Sequence, residues 1–317
     1  MIQIPLSNKK VVDQHVAMCS SLIKKGLNKI NNEGFTYRNK RIESNPNIVS
    51  VLEKLQDDEF LQCLISCKPE KIGSISRYVI GKYPKVTSLY DKINRLLKFI
   101  FVTNGYNTLS MEQRWDFIQS LNLHTCPYCN RSYTYSLDES KAVKPDIDHF
   151  YPKSKYPFLA LSFYNLIPSC KSCNSSQIKG VKDPQTENIL SPYLINNDSF
   201  KFSYRILSID ALSPLERKDK IKVIIYPEDD GNVKAFKLDE LYQKHEDHVL
   251  ELIIKSQLNY AQEYRKYLQH YEGLSFSDTE IDRMIIGNYT QVDELHKRPL
   301  SKLYRDIGIE LGLIKGD

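Results

Sequence analysis

Two Cys-x-x-Cys pairs constrain the folding of this chain more than any other feature of its sequence. The first pair is Cys126 and Cys129, the second is Cys170 and Cys173, and 40 residues separate them. A two-residue gap lets both thiolates of a pair face one ion, and two such pairs complete a tetrahedral Cys₄ zinc site. Because four thiolates leave no position for water, we predict a structural zinc that closes the segment between the pairs into a loop.

Two further observations bear on the cysteines. His124 lies close to the first pair and is an alternative zinc ligand, although the sequence favours a surface or loop histidine without that role. The other three cysteines, Cys19, Cys63 and Cys67, fall in helical patterns that suit buried thiols.

No apolar run approaches the ~18 residues of a membrane span, and the start of the chain lacks the order of a signal peptide. We therefore predict a cytoplasmic protein with reduced thiols and no membrane association.

The charge of the chain is only mildly basic. The net charge is +5, and residues 1–125 carry 18 Lys and Arg against 11 Asp and Glu. This surplus in the N-terminal part is compatible with an anionic partner, and equally with an ordinary solvated surface.

Hydrophobic periodicity predicts an α+β protein in three regions. Residues 1–123 show helical spacing in four segments, at 11–30, 47–67, 88–102 and 110–123, the last with Ser110 as N-cap. Residues 124–192 form a central module of short alternating runs, with strands predicted at 131–137 and 145–150. Residues 193–317 are predicted to form strands at 200–207, 220–226 and 233–238, followed by a long helix from Asp239 and two shorter helices.

The segment between the cysteine pairs contains "DIDHFYPKSKYP", from Asp146 to Pro157. The typed positions along the module run C-x-x-C, D-x-D-H-x-x-P, Asn165-Leu166 and C-x-x-C-N. This order resembles the HNH endonuclease family, whose zinc-knuckle members carry a ββα-metal motif. The resemblance covers residues 124–183, about a fifth of the chain.

The resemblance implies a role for each matched residue. His149 matches the general base, and Asn165 matches the asparagine that braces the loop and orients that base. Asp148 and Asn174 match the ligands of a catalytic Mg²⁺ or Mn²⁺. Asp146 matches a frequent acidic position that supports the metal ligands, and an exposed strand residue is the alternative.

These residue types suit phosphodiester hydrolysis. Carboxylate and amide oxygens are the ligands that hard divalent cations prefer, and such a cation neutralises charge on the phosphate. A neutral imidazole can accept a proton from the attacking water near pH 7. Adjacent strand residues point to opposite faces, so a bend or the strand end must bring Asp148 and His149 to one site.

The sequence departs from the family pattern at two places. "KSKYPFLALSFY" replaces a common glycine pair, and Gln177 stands where a lysine is frequent. Neither change removes a predicted metal ligand or the predicted base. We therefore expect these changes to affect substrate binding more than the hydrolysis step. The candidate phosphate contacts are basic residues of the module, for each of which taken alone the sequence favours an ordinary solvated lysine: Lys153, Lys155, Lys171 and Lys179.

The module, with its missing glycine pair, is most similar to the PtuB-like HNH nucleases of Septu-type and retron-associated bacterial antiphage systems. Those nucleases work beside an ABC-type or SMC-like ATPase, so the resemblance implies such a partner. It also implies a nucleic-acid substrate and favours DNA over RNA. The alternative is a catalytically silent, zinc-stabilised nucleic-acid-binding or adaptor subunit of a defence complex.

Overall fold

The computed structural model describes most of the chain. The described residues are 1–34, 36–37, 40–41, 45–80, 88–137, 144–208, 220–227, 230–258 and 260–316. Its elements are mixed α and β, with a helical N-terminal part and two strand pairs further along the chain. Within these residues no helix combines the length and the apolar character that crossing a membrane requires.

The N-terminal part consists of helices around one apolar core. The helices are α1 (Lys9–Glu33), α2 (Pro46–Gln56), α3 (Asp58–Ile65), α4 (Pro69–Ile80), α5 (Ser88–Leu97) and α6 (Met111–Leu121). A two-residue strand pair, β1 (Thr36–Tyr37) and β2 (Lys40–Arg41), follows α1. The predicted helix at 47–67 is divided in two because the Asp57 carboxylate accepts from Glu59 N and caps α3.

The segment between α5 and α6 changes helix type. Residues Lys98–Thr103 form a π-helical turn, and Tyr106–Thr108 form a short 3₁₀ turn. Gly105 lies between them, and a Cβ there would be 2.3 Å from Phe101 O. The predicted Ser110 N-cap is confirmed as a capping box with Gln113, which begins α6.

The central part has two strands and a short helix. Strand β3 (Asp146–His149) pairs antiparallel with β4 (Leu166–Ser169), so that His149 lies opposite Leu166. Helix α7 (Lys171–Asn174) follows directly, with Cys170 as its N-cap. The strand predicted at 131–137 is wrong: this segment makes one isolated bridge, Thr125 to Tyr133, and has no continuous partner strand in the described structure.

The C-terminal part contains one strand pair and six α-helices within the described residues. Strand β5 (Lys201–Ile206) pairs antiparallel with β6 (Ile221–Tyr226). The helices are α8 (Gly231–Phe236), α9 (Leu238–Gln243), α10 (Glu246–Gln257), α11 (Tyr260–Gln269), α12 (Asp278–Ile286) and α13 (Ser301–Glu310).

Two predictions for this part are wrong. The segment 233–238 is helical instead of a strand because the Asp230 carboxylate accepts from Asn232 N and Val233 N, which starts α8. The long helix predicted from Asp239 is divided into α9, α10 and α11. The predictions of β5, β6 and the two final helices are confirmed.

The N-terminal helices contact the backbone of the central module. His15 of α1 donates from Nε2 to Leu161 O at 2.9 Å, and its ring packs against Phe163 and Phe117. Ser162 Oγ donates to Leu64 O of α3 at 2.8 Å. The loop between β3 and β4 is therefore held from outside by two helices.

Asn130 joins the first cysteine pair to the C-terminal part. Its side chain is fully buried, donates to Leu295 O at 3.1 Å and accepts from Lys302 N at 3.1 Å. Leu300 N donates to the Asn130 carbonyl. The φ angle of Asn130 is +48°, which asparagine tolerates better than most residues.

We expect Asn130→Ala to destabilise the protein by about 3 kcal/mol, because Lys302 N and Leu295 O lose a buried partner in addition to the backbone strain. Asn122→Ala is the matched control, since Asn122 has φ +47° with an exposed side chain. That variant is expected to lose only about 1 kcal/mol. Urea denaturation of both variants measures the difference, and equal losses would show that the Asn130 hydrogen bonds add nothing.

Candidate functional site

The two cysteine pairs converge on one point. The four Sγ atoms of Cys126, Cys129, Cys170 and Cys173 all lie within 4.8 Å of one another, and Cys129 Sγ is 3.9 Å from Cys170 Sγ. Backbone N–H groups point at two of the sulfurs: Arg131 N lies 3.4 Å from Cys129 Sγ, and Cys173 N lies 3.5 Å from Cys170 Sγ. His124 is not a member of this cluster.

The cluster fits a zinc ion. A Zn–S bond of ~2.3 Å in tetrahedral geometry places the sulfurs about 3.8 Å apart, close to the separations found here. Burial raises the pKa of the Cys126 thiol above its ordinary value, so a cation is needed for that sulfur to be held as a thiolate. Four sulfurs in this arrangement leave no position for water, which suits a structural ion.

Strand β3 divides its side chains between two environments. Asp146 and Asp148 point to one face, and Ile147 and His149 point to the other, because successive strand residues alternate. His149 is the last residue of the strand, and Pro152 follows shortly after. The chain therefore places the acidic side chains and the imidazole on either side of the end of one strand.

The His149 ring is held in one orientation. Its Nε2 lies 3.1 Å from Ala160 O, and since a carbonyl oxygen only accepts, Nε2 carries the proton in the neutral ring. The lone pair then lies on Nδ1. Burial lowers the pKa of His149 to about 3, and Lys153 adds to this shift, so the ring is neutral at pH 7. The Tyr106 ring packs edge-on against it at 4.4 Å.

Asp148 is buried and has two partners. Tyr128 donates from its hydroxyl to Asp148 Oδ2 at 2.6 Å, and burial followed by the Asp148 charge raises the pKa of Tyr128 well above its ordinary value. Lys179 Nζ lies 3.2 Å from Asp148 Oδ1 and 3.1 Å from Oδ2. The same ammonium donates to His149 O at 3.0 Å. Lys179 therefore compensates the charge of Asp148 and fixes the backbone at the end of β3.

Asn174 lies beside Asp146. Asn174 Nδ2 donates to Asp146 Oδ2 at 3.2 Å, and Asn174 Oδ1 has no hydrogen-bond partner among the described residues. Both side chains are half-buried. Free carboxylate and amide oxygens on the face that also carries Asp148 are donors of the kind that Mg²⁺ and Mn²⁺ prefer.

Asn165 fastens the loop that follows β3. Its side chain accepts from Tyr151 N at 2.7 Å and donates to Tyr151 O at 3.2 Å and to Leu159 O at 2.9 Å. The residue is fully buried. Leu159 directly precedes Ala160, whose carbonyl binds His149, so Asn165 holds both ends of the loop that carries this carbonyl.

The four candidate lysines lie in different surroundings. Lys153 is half-buried with its ammonium 4.5 Å from the centre of the Tyr106 ring, next to His149. Lys155 is exposed and lies 4.0 Å from the Asp183 carboxylate, and Lys171 is exposed on α7. Lys179 is fully buried in its pair with Asp148. Its burial does not fit the phosphate contact predicted from the sequence, because its donors are directed at protein oxygens.

Comparison with known proteins gives one relationship. Over 92 residues the chain is 40% identical to the Septu protein PtuB of Bacillus thuringiensis. It is thus a relative of a Septu protein over part of its length. The matched residues are 29% of this chain, and the chain spans a third of that relative's length. No family model and no solved structure matches the chain.

Three residues around the site could not be identified from the sequence. Tyr106 and Arg114 belong to the N-terminal helical part, and no motif there signals their approach to His149. Tyr128 lies inside the first cysteine pair, where a buried aromatic next to thiolates is a weak signal at most. The contacts of all three depend on how the N-terminal and central parts pack.

We expect the purified chain to hold about one zinc ion, and Cys126→Ser or Cys173→Ser to lose it with a marked fall in melting temperature. Cys63→Ser is the control, because Cys63 is exposed and outside the cluster. Metal analysis and a colorimetric zinc-release assay measure the content. Full zinc retention in Cys126→Ser would show that this sulfur is not a ligand.

Proposed function

We propose that this chain is a metal-dependent HNH endonuclease that hydrolyses the phosphodiester bonds of nucleic acid. We propose DNA in preference to RNA as its substrate, and we assign the chain as the nuclease component of a bacterial Septu antiphage system. The observation that carries the proposal is the His149 ring, whose Nε2–H is taken by Ala160 O so that Nδ1 is left as a base. The partial identity to a Septu protein supports the place in antiphage defence.

In this proposal the protein residues position one proton transfer. Nδ1 of His149 accepts the proton of the water that attacks phosphorus. The low pKa keeps the ring neutral at pH 7 but also weakens it as a base, so a bound cation would have to lower the pKa of the water. Asn165 keeps the loop in place, and with it the Ala160 carbonyl that orients the ring. Removing a proton from water by a fixed imidazole accounts for about 10²- to 10⁴-fold of rate.

Asp148 and Asn174 are the proposed ligands of Mg²⁺ or Mn²⁺, with Asp146 in support through its hydrogen bond to Asn174. When bound there, such a cation would neutralise charge on the phosphate and on the departing oxygen. Asn174 Oδ1 is free to serve, and Asp148 has lone pairs beyond those used by Tyr128 and Lys179. The four cysteines hold the structural zinc that keeps β3, β4 and α7 together.

The second candidate function is a catalytically silent zinc-binding subunit. The buried pair between Lys179 and Asp148 favours it, because the ammonium occupies part of the carboxylate that would face a divalent cation. In either case we propose a cytoplasmic protein that acts beside an ABC-type or SMC-like ATPase, as the resemblance to the PtuB-like nucleases implies.

We expect the chain to cut plasmid DNA with added Mg²⁺ or Mn²⁺, and His149→Ala to lower the rate by about 10²- to 10⁴-fold while it retains zinc. His270→Ala is the matched control, since His270 is exposed at the end of α11. Gel assays on plasmid, single-stranded DNA and RNA, with and without the purified ATPase partner, measure cutting. Equal rates for the chain and His149→Ala would remove the proposed base.

We also expect Lys179→Met to destabilise the protein by about 3 to 5 kcal/mol, because the Asp148 carboxylate is left buried without its cation. If Asp148 binds a divalent cation, added Mn²⁺ should recover part of this loss, since a ligand that binds only the folded state stabilises it. Melting curves with and without Mn²⁺ measure both effects. Lys302→Met is the control, because Lys302 is equally buried in a pair with Asp306.

The two variants separate the alternatives. A rise in melting temperature with Mn²⁺ in Lys179→Met but not in Lys302→Met supports Asp148 as a ligand. The same response, or none, in both variants would contradict that assignment and favour the catalytically silent subunit.

A further inference from the structure

Two cations lie over one aromatic ring beside His149. The Arg114 guanidinium carbon is 4.9 Å from the centre of the Tyr106 ring, and the Lys153 ammonium is 4.5 Å from the same centre. Arg114 comes from α6 in the N-terminal part, and Lys153 follows β3 in the central module. Both positive charges are therefore within 5 Å of a single ring.

Neither cation has a carboxylate partner within the described part of the chain. Arg114 Nη2 donates to Tyr106 O at 3.1 Å, but Arg114 Nε is buried without any acceptor. Desolvation lowers the pKa of Lys153, and the Arg114 charge lowers it further. Two positive charges close to one ring, with a buried donor left open, favour an anion beside them.

The cations lie next to the proposed base. The edge of the Tyr106 ring contacts the His149 ring at 4.4 Å, so the same side chain carries the two cations and packs on the imidazole. The positive charges of Lys153 and Arg114 both lower the pKa of His149. Tyr106 is buried and directly follows Gly105, where a Cβ would be 2.3 Å from Phe101 O.

We propose that Arg114 and Lys153 bind a phosphate group of the nucleic-acid substrate beside His149. The N-terminal helical part then supplies one of the residues that hold the substrate, and the nuclease site is shared between two parts of the chain. This inference rests on the proposed function. Guanidinium and ammonium groups are the usual donors to phosphate, and such contacts hold the backbone without reading the bases.

The experiment measures binding apart from cutting. A short fluorescein-labelled DNA duplex and the corresponding single strand are titrated with the chain in the absence of added divalent metal, by fluorescence anisotropy at several salt concentrations. The variants are Arg114→Met, Lys153→Met and Arg114→Lys. Arg205→Met is the matched control, because Arg205 is exposed on β5. Zinc content and melting temperature show that each variant is folded.

We expect Arg114→Met and Lys153→Met each to weaken binding by about tenfold, as for loss of one charge-assisted hydrogen bond. Each should also reduce the slope of log K against log salt by about 1, which a purely structural change would not do. Arg114→Lys should recover most of the salt slope, since the charge remains. Arg205→Met should bind like the unsubstituted chain.

Two outcomes overturn the inference in different ways. If the chain cuts DNA and Arg114→Met and Lys153→Met bind with unchanged affinity and salt slope, the inference is wrong and the nuclease proposal stands. If neither duplex nor single strand binds and no variant cuts, the inference fails together with the proposed function.

Discussion

The convergence of four cysteine sulfurs, three of them from buried residues, is the constraint on which the central part of this protein depends. Strands β3 and β4 contribute four residues each and α7 has only one turn, so these elements bury too little apolar surface to be stable alone. A metal ion held by sulfurs from both ends of the segment would supply the missing cross-link. Asn130 and Tyr242, which bonds to Cys129 O, then join that cross-link to the C-terminal part.

Charge compensation organises the candidate site around this cross-link. Lys179 is the buried counterion of Asp148, and it reaches across to the carbonyl of His149. On the other side of the strand, Arg114 and Lys153 approach the imidazole without a carboxylate among the described residues. One cation is thus paired with a carboxylate inside the protein, whereas the two others are half-buried and have no carboxylate partner in the described structure. This asymmetry separates a structural ion pair from a candidate binding site.

The local part of this architecture follows from sequence and the long-range part does not. Spacing alone predicts the cysteine cluster, and alternation predicts β3, β5 and β6, because these depend on neighbours along the chain. The segment 233–238 has the apolar pattern of a strand, yet the Asp230 cap makes it helical. The surroundings of His149 could not be predicted from the sequence, because Tyr106 and Arg114 precede it by more than 30 residues and no periodicity links them to it.

The contacts of the loop between β3 and β4 determine how large a segment of this chain can be exchanged between genes during evolution. The loop's Leu161 carbonyl accepts from His15 and its Ser162 hydroxyl donates to Leu64 O of the N-terminal helices, and it presents the carbonyl that orients His149. The short motif of histidine, asparagines and cysteines would therefore not keep this structure if it were moved to another chain by itself. A gene fusion or recombination event that carried only the motif would leave behind the helices that hold the loop beside His149. The unit that evolution can exchange as a whole includes the N-terminal half of the chain.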